Sequence, residues 1–324
     1  MKYLITGSSG FIGSHLAKKL LENKNNLVVG IDNMNDYYDV KLKEHRKEEL
    51  ESFSNYKFYK EDIANKQKIM DIFKGEKPDY VINLAAQAGV RYSIDHPDSY
   101  ISSNLVGFYN ILEACRYYPP KKLLFASSSS VYGANKKVPF STTDPVDHPV
   151  SLYAATKKSD ELMAYAYSHL YHIPVTGLRF FTVYGPNGRP DMAYYSFTKN
   201  IVEKKPIKVF NNGDMYRDFT YIDDIIMGII NILPLTIKKD DNGTLYKIYN
   251  IGNNHPVKIM DFIQILEKNI GMKAEKVYLP MQDGDVYETY ADIDDLIKDT
   301  GFKPKTSLDE GLKKFVQWYF EYYK

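Results

Sequence analysis

The chain reads as an α/β protein: a doubly wound parallel sheet followed by a smaller mixed α/β C-terminal lobe. Three observations predict this. Short apolar runs alternate with helix-patterned stretches through roughly the first 180 residues, the rhythm of parallel strands joined by crossover helices. The first run leads straight into a glycine-rich turn, Gly7 to Gly13, that opens a helical pattern. After about residue 181 the rhythm breaks at Gly185-Pro186-Asn187-Gly188-Arg189-Pro190, a loop by its turn chemistry.

In chain order the expected strands are 2–6, 27–32, 56–60, 80–84, 122–126 and 175–181. The first helix should span 11–23. The Lys/Glu-rich run at 41–51 reads as a solvated helix. Two strands end in small residues, Ala85-Ala86 after the fourth and Ser127 to Ser130 after the fifth. Ligands of open parallel sheets sit at the carboxyl ends of strands, where small side chains let them approach the backbone. Residues 1–180 are therefore expected to form the nucleotide-binding domain. Residues 181–324 should form the second lobe, with some chain returning to the first and an aromatic helix at 315–323.

Bulk properties narrow the function. The 324 residues are 44% hydrophobic and 26% charged, ordinary for a globular protein. A net charge of +1 provides no field to draw in nucleic acid or acidic lipid. No apolar run approaches the ~20 residues a membrane helix needs. The N-terminus lacks a charged-then-apolar signal layout, so a cytoplasmic protein is expected. Cys115, the single cysteine, excludes an internal disulfide and reads as a buried small hydrophobe. Arginine is scarce, which draws attention to Arg91, Arg189 and Arg217 in segments that read as loops.

Gly7, Gly10 and Gly13 lie at G-x-x-G-x-x-G spacing between a strand and a helix start. Missing Cβ atoms permit a tight turn and close approach of a pyrophosphate. The first helical residues, Phe11, Ile12 and Gly13, offer unpaired N–H groups at a positive dipole end. Asp32 ends the second strand, where a carboxylate accepts hydrogen bonds from a ribose 2′-hydroxyl and repels a 2′-phosphate. NAD is the expected cofactor. Asp62 and Ile63 close the third strand, where an adenine edge could lie. No metal-ligand spacing is present.

The second chemical signal is Tyr153-Ala-Ala-Thr-Lys157. At i, i+4 on a helix the two side chains share a face. An ammonium beside a phenol favours the phenolate, so the tyrosine can act as base and acid. The serine run lies about 25 residues upstream, at a strand end.

Taken together, the glycine turn, Asp62, Ala85-Ala86, the serines before Val131-Tyr132-Gly133, and Tyr153 to Lys157 resemble the extended short-chain dehydrogenase/reductases, with their Rossmann-type sheet. Within that family the chain is most similar to the nucleotide-sugar 4-epimerases, and specifically to those acting on UDP-glucuronate. The similar segments are 32–39, Gln87 to Arg91, 152–157, Arg179 to Gly185, Gly188 to Met192 and Arg217 to Asp224. Asn187 departs from the pattern, standing where relatives often have Trp.

The resemblance implies catalysis by Tyr153, Lys157 and Ser128, through a transient 4-keto sugar with hydride returned to the opposite face. Where related dehydratases carry Asp-Glu, this chain has Ser129 and Ser130, which argues against elimination of water. Thr182, Ser128 to Ser130 and Arg91 would hold a substrate carboxylate; Arg189 and Arg217, with Gln282 and Asp285, would meet diphosphate and uridine. The implied partners are a UDP-sugar and a second copy of the chain, packed through helices around 100–115 and 153–170. Other readings of the same residues are a 4-epimerase of UDP-glucose or a UDP-N-acetylhexosamine, and a UDP-sugar dehydratase or decarboxylase.

Overall fold

The computed structural model describes residues 1–281 and 287–324. Its strands are β1 (Lys2–Thr6), β2 (Leu27–Asp32), β3 (Tyr56–Lys60), β4 (Tyr80–Asn83), β5 (Lys122–Ser128), β6 (Val175–Phe180), β7 (Thr182–Tyr184), β8 (Ile207–Phe210), β9 (Tyr216–Tyr221), β10 (Tyr246–Ile251), β11 (Pro256–Lys258), β12 (Lys276–Leu279) and β13 (Glu288–Thr289). Seven form one sheet in the order β10-β6-β5-β4-β1-β2-β3. The pairs from β3 across to β6 are parallel. The edge strand β10 also runs parallel to β6, since Val175 N–H bonds Leu245 and Phe181 N–H bonds Ile251.

Apolar runs in β1, β2, β4 and β5 explain the sheet's place. Leu4, Ile5, Ile31, Val81, Ile82, Leu123, Leu124 and Phe125 are all fully buried. Neighbours within a strand point to opposite faces, so both faces are covered, as parallel sheets require. Helices α1 (Phe11–Leu21), α2 (Val40–Glu51) and α3 (Lys66–Glu76) make the first crossovers. From β1 the chain builds outward through β2 and β3, then restarts with β4 on the other side. The turns after β1 and β4 therefore flank the point where the strand order reverses, the ligand position in such sheets.

The chain divides into two compact units. The first comprises Met1–Asn135, Thr142–Phe180 and Ile229–Tyr249; the second comprises Lys136–Ser141, Phe181–Gly228 and Asn250–Lys324. In the second unit, β9 is flanked by β11 and β13 and also pairs β7, while β8 pairs β12. Its core is aromatic: Phe219 stacks on Phe262 with ring centroids 4.6 Å apart, and Tyr194 meets Phe315 edge-on at 4.9 Å. Buried Asp218 accepts backbone N–H bonds from Asn253, Asn254 and Ala291, tying β9 to two other segments.

Several expectations need correction. The charged helix α2 is not simply solvated: Lys43 and Arg46 are buried. Arg46 donates to the Ser9 carbonyl at 3.0 Å and to the Tyr38 hydroxyl, so its charge supports the glycine turn. Arg217 lies within β9, not a loop. β3 stops at Lys60, two residues before Asp62, and β5 continues through Ser127 and Ser128. The last helix begins earlier than expected, at Leu308, where Ser307 caps it by accepting the Glu310 N–H.

Candidate active site

The glycine turn is built against β4. Gly7 has φ +70°, a left-handed conformation suited to glycine, and a Cβ there would sit 2.8 Å from the Ala85 nitrogen. Gly13 packs on the turn's own start. The Ala85 N–H bonds Thr6 Oγ1, which in turn donates to Asn83. The two small-residue turns are thus one packed unit at the sheet's reversal point. Gly10 precedes α1 with no capping side chain, leaving the first-turn N–H groups of Phe11, Ile12 and Gly13 to an anion.

Asp32 faces this turn. Its Oδ2 accepts the Ser9 N–H at 3.0 Å and its Oδ1 the Met34 N–H at 2.9 Å. Each carboxylate oxygen can accept a further bond, the chemistry that a ribose diol calls for. Asp62 holds a turn: its Oδ1 accepts the Ala64 N–H and its Oδ2 the Asn33 amide, each at 2.8 Å. Asn65, not Asp62, caps α3. Ile63 is a core residue, buried under Gly107.

Ser151 starts the helix Leu152–Tyr171 by accepting the Ala154 N–H. This puts half-buried Tyr153 in the first turn, at the positive end of the dipole. Its ring meets that of Tyr100 edge-on, centroids 6.0 Å apart. Lys157, one turn further, is buried, and its Nζ donates to the Ala126 carbonyl at 2.9 Å and to Asp160 at 3.1 Å. Ala126 lies two residues before Ser128 on β5, so the lysine fastens the tyrosine-bearing helix to the serine-bearing strand. Ser128 Oγ accepts the Ser130 N–H and lies 3.2 Å from Ser130 Oγ.

Behind these residues lies a buried ion pair. Arg179 on β6 grips Glu161 through two bonds, Nε–Oε1 at 2.8 Å and Nη2–Oε2 at 2.9 Å. Glu161 also accepts from Ser127 Oγ, and Arg179 reaches the Tyr132 hydroxyl. Burial opposes the guanidinium's charge, but the Glu161 bonds outweigh it and hold the arginine more firmly protonated than usual. Sequence reading missed Asp160, Glu161 and Asn104. Asn104 is central to a π-helical turn, Ile101–Gly107, of a kind frequent at functional sites. It accepts the Gln87 N–H and donates to the Gln87 carbonyl and Thr156 Oγ1, joining the β4 turn to the tyrosine helix. No local signal singled it out, since Ser102, Ser103 and Asn110 are polar residues of the same stretch.

The remaining predicted residues are placed as follows. Exposed Arg91 precedes a short helical turn at 92–95 in the first unit. In the second unit, Thr182 opens β7, pairing with Phe219. Arg189 forms a two-point pair with Asp191, and Arg217 donates to the carbonyls of Tyr216 and Tyr287. Gln282 and Asp285 lie outside the described residues. Asn187, the departure noted above, has φ +55°, a left-handed conformation that asparagine tolerates well and tryptophan poorly. Among the described residues no cluster of His, Cys, Asp and Glu could hold a metal, and no helix is long and apolar enough to cross a membrane.

Known proteins match the chain along its whole length. Protein CapI of Staphylococcus aureus is 54% identical, covering 100% of both chains. A probable UDP-glucuronate 4-epimerase of Rhizobium meliloti is 45% identical over 100% of this chain and 98% of that one. The crystal structure of UDP-glucuronic acid 4-epimerase from Bacillus cereus, in complex with UDP-glucuronic acid and NAD, matches with a TM-score of 0.91 at 37% identity, covering 100% of each chain. Residues 3–252 match the NAD dependent epimerase/dehydratase family, and with this sheet, turn and helix in place the chain belongs to that family.

Proposed function

We propose that the protein is an NAD-dependent UDP-glucuronate 4-epimerase, interconverting UDP-glucuronate and UDP-galacturonate. The observation that carries this is the full-length likeness to the Bacillus cereus enzyme crystallised with UDP-glucuronic acid and NAD. The docking of Tyr153 and Lys157 onto the Ser128 strand is consistent with it.

The glycine turn, the first turn of α1 and Asp32 would hold the dinucleotide, with Asp62, Ile63, Ala85 and Ala86 around it. Bound NAD supplies a reversible acceptor for the hydrogen at sugar carbon 4. Tyr153 takes the proton of the 4-hydroxyl and later returns it. Ser128 hydrogen-bonds the same oxygen. Lys157 holds the nicotinamide ribose and keeps positive charge beside the phenol. Because the sugar is oxidised and then reduced, net redox is zero and the cofactor need not leave.

A 4-keto uronate is a β-keto acid, prone to lose carbon dioxide, so its carboxylate must be restrained through the reaction. Thr182, the serines at 128–130 and Arg91 are the proposed holders; Arg189 and Arg217 are proposed for the diphosphate, with Gln282 and Asp285 toward the nucleotide. Ser129 and Ser130 provide no carboxyl acid or carboxylate base for eliminating water. We further assign a homodimer in the cytoplasm. Ile101, Val106, Tyr109, Leu162 and Leu170 are exposed apolar side chains on the two helical segments assigned to the interface.

The test is proton NMR of purified protein with UDP-glucuronate and no added NAD. UDP-galacturonate should appear without NADH build-up. A UDP-pentose with carbon dioxide, or a dehydrated sugar, as the main product would overturn the assignment. So would turnover confined to neutral UDP-hexoses.

A further inference from the structure

The tyrosine helix carries a second buried acid that the reaction above does not use. Asp160 is 1% exposed. Its Oδ2 lies 3.1 Å from Lys157 Nζ, while its Oδ1 is buried with no hydrogen-bond partner. A carboxylate serving only as structural glue would have both oxygens satisfied. The neighbouring Glu161 is satisfied in this way, by Arg179 and Ser127.

The ammonium of Lys157 has three N–H bonds to give. One goes to the Ala126 carbonyl and one to Asp160. These two acceptors fix the direction of the third. We propose that Asp160 is the positioning residue for Lys157: it holds the ammonium so that one N–H remains for the cofactor ribose, and its charge tempers the field that Lys157 exerts on Tyr153. The proposal rests on the roles given to Tyr153 and Lys157 above.

Charged and titratable groups face Asp160 from three elements. On its own helix are Lys157 and Glu161. From β6 comes Arg179, which offsets Glu161. From β10 comes Tyr246, whose hydroxyl donates to the Glu161 carbonyl and which burial keeps neutral. Burial pushes the Asp160 carboxyl up to about 7, against the pull of Lys157. Removing a negative charge eases proton loss from every nearby group. The basic limb of the kcat profile, above the range in which Asp160 itself takes up a proton, should therefore move toward lower pH.

The experiment uses the NAD-loaded protein with Asp160→Asn, which keeps shape and removes charge. Two quantities are read: the pH profile of kcat with KM for UDP-glucuronate, and the rate at which bound NAD is released. Expected are a downward shift of the basic limb by about one pH unit, a KM within about twofold, and NAD release faster by about tenfold. Profiles and release rates matching the unaltered protein would overturn the proposal. Asp160→Glu keeps the charge and decides the matter if the asparagine variant does not fold. It should keep the unaltered pH profile while releasing NAD faster, and a profile shifted down by a full unit would overturn the proposal. Failure of the unaltered protein to turn over UDP-glucuronate would sink the functional assignment, while NAD release would still decide the role of Asp160.

Discussion

A Cβ atom on Gly13 would lie 2.1 Å from the carbonyl oxygen of Gly7. The third glycine of the turn is thus required by the turn itself, before any ligand arrives. The contact is with backbone, which no side-chain rotation relieves. Gly13→Ala should push the turn off Ala85 and cost about 1–3 kcal/mol, with loss of NAD from the purified protein. Gly75, on the exposed side of α3 with nothing within 4 Å of its would-be Cβ, is the contrasting case. There alanine should stabilise by about 0.5–1 kcal/mol and leave NAD content unchanged. Thermal melting and the NAD content of acid extracts read both outcomes.

Tyr153→Phe removes the proton-carrying oxygen and keeps the ring that packs edge-on against Tyr100. Epimerisation should fall by about 10²–10⁴-fold, with NAD content and melting temperature unchanged. The assay is NMR turnover of UDP-glucuronate. Activity within a few-fold of the unaltered protein would remove Tyr153 from its assigned role.

The Arg179–Glu161 pair is buried on both sides, each side chain only 4% exposed. Arg179→Met leaves a carboxylate in the interior with the Ser127 hydroxyl and a more distant Lys158 as its remaining side-chain partners among the described residues. Breaking such a pair costs about 3–5 kcal/mol. Replacing both partners, Arg179→Met with Glu161→Leu, should recover much of that loss, because the stranded charge is gone. Urea midpoints of the two variants give the comparison. A double variant no more stable than the single one would mean the pair has a net value beyond neutralising itself.

What could be read from sequence follows from which forces are local. Most of the strands β1 to β6 were legible to within one or two residues because sheet faces covered on both sides demand continuous apolar runs; the edge strand β3, Tyr56–Lys60, has no buried residue and showed instead as aromatic residues interspersed with lysine. The glycine turn was legible because its spacing is fixed by a single tight bend. Lys43 and Arg46 were not, since a charged run looks solvated until its partners are known, and those partners are Asn35, Ser9 and Tyr38 on other segments. Asp160 and Glu161 were hidden in the same way within Lys157-Lys158-Ser159-Asp160-Glu161, where the next charged residue, Lys158, is only partly buried. The small sheets of the second unit pair Thr182 with Phe219 and Arg217 with Thr289, contacts too distant along the chain for any local pattern to report.

Glu76 should mark the acid limit of the first unit. It ends α3 and receives three donors: Lys57 Nζ at 2.7 Å, the Tyr59 hydroxyl at 2.6 Å and Lys2 Nζ at 3.1 Å. Burial alone would raise its pKa, but bonds from Lys57, Tyr59 and Lys2 outweigh this and bring it down to about 2. The folded value lies below the ordinary one, so the carboxylate contributes stability that is fully present above about pH 4.5 and is lost as the pH falls toward 2. For one proton the slope is at most about 1.4 kcal/mol per pH unit. Other carboxylates, Asp79 and Glu267 among them, are also held below their usual range, so the acid slope of the unaltered protein is a sum. The difference between it and Glu76→Gln isolates this one group. That difference, taken from urea unfolding at a series of pH values, should be constant above pH 4.5 and shrink steadily below it. A difference that does not change with pH would mean that Glu76 acts through shape and neutral hydrogen bonds, with its charge contributing nothing.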